Sequence, residues 1–106
     1  MNGRLTTHVL DTANGIPAAG MKIEFARISG ETRTPLKSVV TNHDGRIDSP
    51  LLAAEEMQVA TYELLFHTAA YFKAKASVIS EPPFLDIISI RFSVADPDAH
   101  YHVPLL

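Results

Sequence analysis

Short apolar segments separated by turn-forming residues limit the folds that are open to this chain. Most of the seven Pro and five Gly fall between these segments. Within them apolar and polar residues tend to alternate, as in Leu5–Asp11 and Met21–Ile28. Because successive side chains of a β-strand point to opposite faces of a sheet, this period of two is typical of strands with one buried face. The pattern therefore predicts a mainly β protein.

The alternation and the turns between segments give approximate bounds for each element. Ser29–Pro35 is predicted to be a polar loop, Leu51–Val59 an irregular segment, and Ala69–Ala76, which is rich in Ala and Lys, a short helix. The predicted strands are Leu5–Asp11, Met21–Ile28, Leu36–Thr41, Thr61–Thr68, Leu85–Val94 and Tyr101–Leu106. Many strands with at most one helix favour a β-sandwich, and 106 residues are enough for one domain, residues 1–106.

Charge and composition exclude several classes of partner. Nine Lys and Arg against twelve Asp and Glu form no basic stripe, so we expect no nucleic acid partner. No apolar run approaches the roughly 18 residues of a membrane span, and the first ten residues resemble no secretion signal. The absence of Cys fits a reducing compartment, so the predicted location is cytoplasmic. A mean hydropathy of +0.08 is high for so small a domain and predicts self-association.

Two histidines are predicted to point away from the core. In the last strand one face carries the apolar set Tyr101, Val103 and Leu105, which is suited to the core. His102 lies on the other face. In the first strand Val9 is the natural core residue, which turns His8 outward. Two outward imidazoles, each beside aliphatic residues, predict a partly apolar surface suited to a small flat ligand or a subunit contact.

The chemistry of these histidines stays open at this point. His100 and His102 form a His-x-His pair that could bind zinc with His8 as a third ligand. Alternatively, His100 caps the strand and His102 packs on a polar face. Arg46 follows a glycine turn and could reach the same surface, although an isolated Arg is more often a solvated charge. No Ser-His-Asp spacing, paired-carboxylate signature or Gly-rich phosphate loop is visible in the sequence.

Three stretches of the chain match a known family in order and at suitable separations: Leu5–Asp11, Val40–Arg46 and Ala99–Leu106. The shorter stretches Pro83–Asp86 and Ile90–Phe92 also fit, so the resemblance extends over nearly the whole chain. On these stretches the chain resembles the transthyretin-related hydrolases that act on 5-hydroxyisourate in urate breakdown. The resemblance implies a transthyretin-like β-sandwich of two sheets with one short helix. It also implies a homotetramer, a dimer of dimers, with active sites at the interface between dimers.

The resemblance also implies which residues do the chemistry. The family's catalytic set corresponds here to His8, Arg46 and His102, and the family's reaction needs no cofactor and no metal. Family members typically end in Tyr-Arg-Gly-Ser on a last strand, whereas this sequence stops before such a tetrapeptide. We therefore expect the C-terminal strand and tail to be missing from the sequence as given.

The implied reaction is hydrolysis of 5-hydroxyisourate to 2-oxo-4-hydroxy-4-carboxy-5-ureidoimidazoline, with water attacking a ring amide carbonyl. An imidazole with a pKa of about 6.5 can take a proton from water and return one to the leaving nitrogen. His102 is predicted to orient or deprotonate the water, His8 to polarise the substrate or donate the proton, and Arg46 to stabilise the oxyanion or bind substrate oxygens. The sequence does not separate the two histidine roles. The alternative is a transthyretin-like binding module without catalysis.

Overall fold

The computed structural model of the protein describes residues 2–75 and 79–106. In these ranges the chain forms seven strands, one α-helix and one short 3-10 helix. The strands are β1 (Arg4–Asp11), β2 (Ile16–Pro17), β3 (Lys22–Ser29), β4 (Thr32–Val40), β5 (Ala60–His67), β6 (Ile87–Val94) and β7 (His100–Leu105). The helix α1 covers Thr68–Ala74, directly after β5. The short 3-10 helix is Ala54–Glu56, within the segment predicted to be irregular.

The strands form two sheets that pack face to face. One sheet has the order β2-β1-β7 and the other the order β4-β3-β5-β6. The pairing of β1 with β7 is parallel, whereas all other pairs of strands in the two sheets are antiparallel. The largest fully buried apolar side chains between the sheets are Phe25, Phe66, Leu5, Ile23, Leu51, Leu64 and Val94. The predicted β-sandwich is confirmed.

The two faces of β1 and β7 are divided as the alternation predicts. On β1 the buried positions are Leu5, Thr7, Val9 and Asp11, and the positions between them are partly or fully exposed. On β7 the half-buried residues Tyr101, Val103 and Leu105 pack against the core. The side chains of His8 and His102 therefore leave the interior on the outer face of one sheet.

The prediction for Ser29–Pro35 is wrong, because β4 begins at Thr32 and pairs with β3 from Ser29 onward. Gly30 adopts a φ of 61°, which lets two residues connect the strands in a tight hairpin. β4 is an edge strand, so it tolerates exposed polar residues and a proline. A bulge between Phe25 and Ala26 interrupts the register opposite Pro35. The polar composition of this segment therefore predicted a loop where the structure has a hairpin and a strand.

The other predicted strands and the helix are confirmed in type and differ at their ends, whereas the two-residue strand β2 was not predicted. The predicted helix is confirmed as α1, although its predicted last residue, Ala76, lies outside the described residues. The strand predicted from Leu85 begins at Ile87. In the described part of the chain, no helix has both the length and the apolar character to cross a membrane.

Candidate active site

The parallel pairing of β1 and β7 brings His8 and His102 together. In this register Thr6 lies opposite His102, and His8 lies opposite Pro104. The two imidazole rings have their centroids 6.5 Å apart and are inclined at 46° to each other. His8 is half-buried and His102 is exposed, so neither ring is enclosed by the sandwich. Both imidazole rings are accessible from one open face.

Arg46 reaches this face at the end of a tight turn. Its backbone forms an isolated antiparallel bridge with His8. Within the turn, the side-chain oxygen Oδ1 of Asn42 accepts hydrogen bonds from the backbone N–H groups of Asp44, at 2.9 Å, and Arg46, at 3.2 Å. This is the behaviour that makes Asn common in turns. The structure therefore brings all three predicted residues, His8, Arg46 and His102, to one region.

Gly45 allows the turn to lie directly against β1. It adopts a φ of 75°, a left-handed conformation that side chains with a Cβ rarely adopt. Its carbonyl oxygen accepts a hydrogen bond of 2.8 Å from the backbone N–H of Val9. A Cβ at this position would collide with the carbonyl oxygen of Val9. Glycine is thus required both by the backbone conformation and by the close approach that places Arg46 beside His8.

The same turn fixes the ring of His8. Its Nε2 atom lies 2.9 Å from the backbone carbonyl oxygen of Asp44. A carbonyl oxygen can only accept, so a hydrogen bond here requires the proton to be on Nε2. The second ring nitrogen, Nδ1, then decides whether the ring is neutral or charged. In this arrangement a proton on Nδ1 is available for donation to a ligand.

The ring of His102 is held by a side chain from the neighbouring strand. Its Nδ1 atom lies 2.8 Å from the hydroxyl oxygen of Thr6. Partial desolvation of the ring lowers the pKa of His102, and the positive charges of Arg46 and His8 lower it further. The imidazole is therefore mostly neutral at pH 7, which is the form that can accept a proton.

The zinc interpretation is not supported by the geometry of the histidines. In residues 2–75 and 79–106, no group of three His, Asp or Glu side chains is arranged to hold a metal ion. The set of His8, His100 and His102 therefore does not form a three-ligand site. His100 is an exposed residue at the first position of β7.

Sequence reasoning missed the partners that hold the two imidazoles. The alternation in β1 places Thr6 on the outward face with His8, but it predicts neither the contact of Thr6 with His102 nor that of the Asp44 carbonyl with His8. The period of two places Thr6 beside His8. Its contact with His102 can be predicted only when the β1–β7 register is also known. That register joins residues at opposite ends of the chain. No local pattern specifies it.

The sequence and fold of this chain match those of known proteins. A protein-family model described as "HIUase/Transthyretin family" matches residues 5–106, almost the whole chain. The chain belongs to the HIUase/Transthyretin family. The three proposed site residues all lie within the matched range.

Individual relatives are similar over most of this chain. It is 53% identical, over 96% of its length and 85% of the relative's, to a protein of Deinococcus radiodurans named 5-hydroxyisourate hydrolase. A solved (S)-allantoin synthase is 46% identical with a TM-score of 0.90, over 96% of this chain, which spans only 39% of that longer chain. Transthyretin from Sparus aurata is 23% identical with a TM-score of 0.83, over 97% of this chain and 87% of its own, a likeness of fold alone.

Proposed function

We propose that the protein is a hydrolase that opens the six-membered ring of 5-hydroxyisourate to give 2-oxo-4-hydroxy-4-carboxy-5-ureidoimidazoline. The observation that carries this proposal is that His8 and His102 share one open face, with ring centroids 6.5 Å apart, and that Arg46 is bridged to His8 through the backbone. The 53% identity to a named 5-hydroxyisourate hydrolase supports the substrate. The overall reaction needs only water as the second reactant.

In the proposed mechanism His102 is the general base. Its lowered pKa keeps the ring neutral near pH 7, so a ring nitrogen can accept a proton from the attacking water. The water oxygen then forms a bond to the carbonyl carbon of a ring amide. Such proton transfer contributes about 10²- to 10⁴-fold to a rate. The exposure of His102 leaves room for water and substrate.

His8 is the proposed proton donor or polarising group. The carbonyl of Asp44 engages its Nε2–H, so the ring is held in one orientation and its other nitrogen, Nδ1, can hold a second proton. When the tetrahedral intermediate collapses, the carbon–nitrogen bond breaks and the departing ring nitrogen takes up a proton. The two histidines thereby divide the work of accepting and donating a proton.

Arg46 is the proposed stabiliser of negative charge. When water attacks the carbonyl carbon, the carbonyl oxygen becomes an oxyanion. A guanidinium is permanently charged and carries several N–H donors in a rigid plane, so it suits this oxygen and the other oxygens of the substrate. The turn from Asn42 to Gly45 fixes its backbone beside His8.

We also propose that the single domain of residues 1–106 works as a homotetramer in the cytoplasm. The site residues lie on an open face with Arg46 and His102 exposed, and a neighbouring subunit would supply the wall that a substrate cleft needs. Several large apolar side chains are also exposed, including Phe84 at 93% and Leu106 at 74%. The absence of Cys fits a reducing compartment.

The test is the decay of freshly prepared 5-hydroxyisourate, followed by its ultraviolet absorbance with and without the protein. The proposal expects decay well above the spontaneous rate, first order in protein concentration, together with formation of the ureidoimidazoline product. Saturable binding of the substrate without faster decay would contradict the hydrolase and favour a binding module. Sedimentation of the same sample tests the tetramer separately.

A further inference from the structure

We propose that Thr6 is a positioning residue that selects the tautomer of His102, with its hydroxyl oxygen accepting a hydrogen bond from Nδ1–H. The Nε2 lone pair is then presented to the attacking water. This inference deepens the proposed function, in which His102 is the base, and rests on it for its effect on catalysis. The tautomer itself is a property of the protein that can be measured without substrate.

The contact follows from the arrangement of the two strands. Thr6 and His102 are direct partners in the parallel β1–β7 register, so their side chains leave the sheet side by side on the same face. The Oγ1 and Nδ1 atoms are 2.8 Å apart, a short hydrogen bond. A β-branched side chain has few χ1 conformations, so the Thr6 hydroxyl is a stiff partner.

The charges around the ring favour the direction of this bond. In a neutral imidazole one nitrogen carries the proton and the other a lone pair. The guanidinium of Arg46 is near enough to lower the pKa of His102, and so is His8. On the same outer face, Arg4 and His100 are the neighbouring titratable residues in the β1–β7 register. A positive charge favours a lone pair over an N–H on a nitrogen that faces it. With Nδ1 bonded to Thr6, Nε2 is the nitrogen left for the charged site, so the proton is assigned to Nδ1.

A tautomer-sensitive NMR measurement tests the assignment directly. Long-range ¹H–¹⁵N correlation spectra distinguish protonated from unprotonated nitrogens in the His102 ring. At a pH where the ring is neutral, we expect the Nδ1–H form in the native protein and in T6S, which keeps the hydroxyl. In T6V, which has the same shape without it, we expect the proton to shift toward Nε2. Val is favoured in strands, so T6V is expected to fold.

Kinetics on 5-hydroxyisourate supply the functional half of the test. We expect T6V to lower kcat by about 10- to 100-fold, with little change in KM. This is the loss seen when a residue that orients a metal-binding histidine is removed from other proteins. T6S should restore most of kcat. The matched control is T61V, which removes a hydroxyl bonded at 2.8 Å to Ser93 on the other sheet and should leave kcat unchanged.

The two measurements separate failure of this inference from failure of the proposed function. A native protein that does not hydrolyse 5-hydroxyisourate overturns the function, while an Nδ1–H tautomer that depends on the Thr6 hydroxyl still supports the positioning role. A native His102 protonated at Nε2, or a T6V protein with native tautomer and native kcat, overturns the inference. Equal losses in T6V and T61V overturn it as well, because the effect would then be one of folding.

Discussion

The imidazole rings of His8 and His102 face each other from neighbouring parallel strands, with their centroids 6.5 Å apart. At this separation a positive charge on one ring disfavours a positive charge on the other. Different hydrogen-bond partners distinguish the rings, since His8 contacts the carbonyl of Asp44 and His102 the hydroxyl of Thr6. In the proposed mechanism His102 accepts a proton and His8 donates one, which is the division of roles in general acid–base catalysis.

Replacing Arg46 with Gln is expected to lower kcat by about 10²- to 10³-fold, the usual loss when one donor to an oxyanion is removed. R46K keeps the charge but not the planar set of donors, so its kcat should lie between those of R46Q and the native protein. The measurement is steady-state hydrolysis of 5-hydroxyisourate. The control is R27Q, because Arg27 lies in β3 of the other sheet and its exposed guanidinium donates a hydrogen bond to Gln58. A native kcat in R46Q would remove Arg46 from the mechanism.

The pH dependence of hydrolysis should follow the protonation of His102. Its pKa is lowered from 6.5, first by desolvation and then by the charges of Arg46 and His8. As the pH is decreased, kcat/KM should therefore stay constant past pH 6.5 and fall only when the pH drops through the lowered pKa. NMR titration of the ring checks the cause. In R46Q one positive charge is gone, and the pKa of His102 is expected to rise. A fall in that pKa would contradict the electrostatic account.

A methyl group at Gly45 should damage both stability and activity. G45A forces alanine into a φ of 75° and against the Val9 carbonyl, whereas G15A has a similar φ of 69° with no atom within 4 Å of the new Cβ. The matched pair therefore separates strain from collision. Strain alone costs about 1–2 kcal/mol. Chemical denaturation should show a larger loss for G45A, with a lower kcat for that variant only. Equal losses would show that the turn does not need its close contact with β1.

Glu63 should contribute to stability in a pH-dependent way. Burial raises the pKa of this carboxyl, but hydrogen bonds from Ser89, Arg91 and Arg33 outweigh that effect and lower the pKa below 4.5. The stabilisation is therefore complete above pH 4.5 and is lost as the pH falls through the lowered value. We expect E63Q to lower the free energy of unfolding at pH 7 by about 1–3 kcal/mol.

The same variant should flatten the loss of stability below pH 4.5, measured by urea denaturation across pH. E31Q is the control, since Glu31 is exposed in the turn between β3 and β4. An unchanged acid response in E63Q would mean that the ion pairs with Arg33, at 3.2 Å, and Arg91, at 3.2 Å, contribute no net stability.

Local pattern predicted the parts of the fold that depend on a single buried face. Alternation in β1 and β7 gave the outward orientation of His8 and His102, because a strand with one face in the core has little freedom of register. The same reasoning failed for β4, an edge strand whose first four residues are exposed and whose first three are polar. The start of such a strand lacks the alternation of buried and exposed residues by which a strand is predicted.

The site was predicted only in part, because its pairings are long-range. The orientation of His102 followed from its own strand, whereas its contact with Thr6 depends on a parallel register between the two ends of the chain. The bridge between His8 and Arg46 likewise depends on how the turn lies against β1. Such contacts are set by packing of the whole sandwich rather than by propensity.

Two histidine variants on the same strand show whether His102 is the base, with the decay of fresh 5-hydroxyisourate as the measurement. H102Q removes the proposed base, and H100Q removes an exposed imidazole two positions earlier on the same face of β7. With His102 as the base, kcat is expected to fall by about 10²-fold or more in H102Q and to stay within about threefold of native in H100Q. Hydrolysis by H102Q within about threefold of the native rate would show that His102 is not the base.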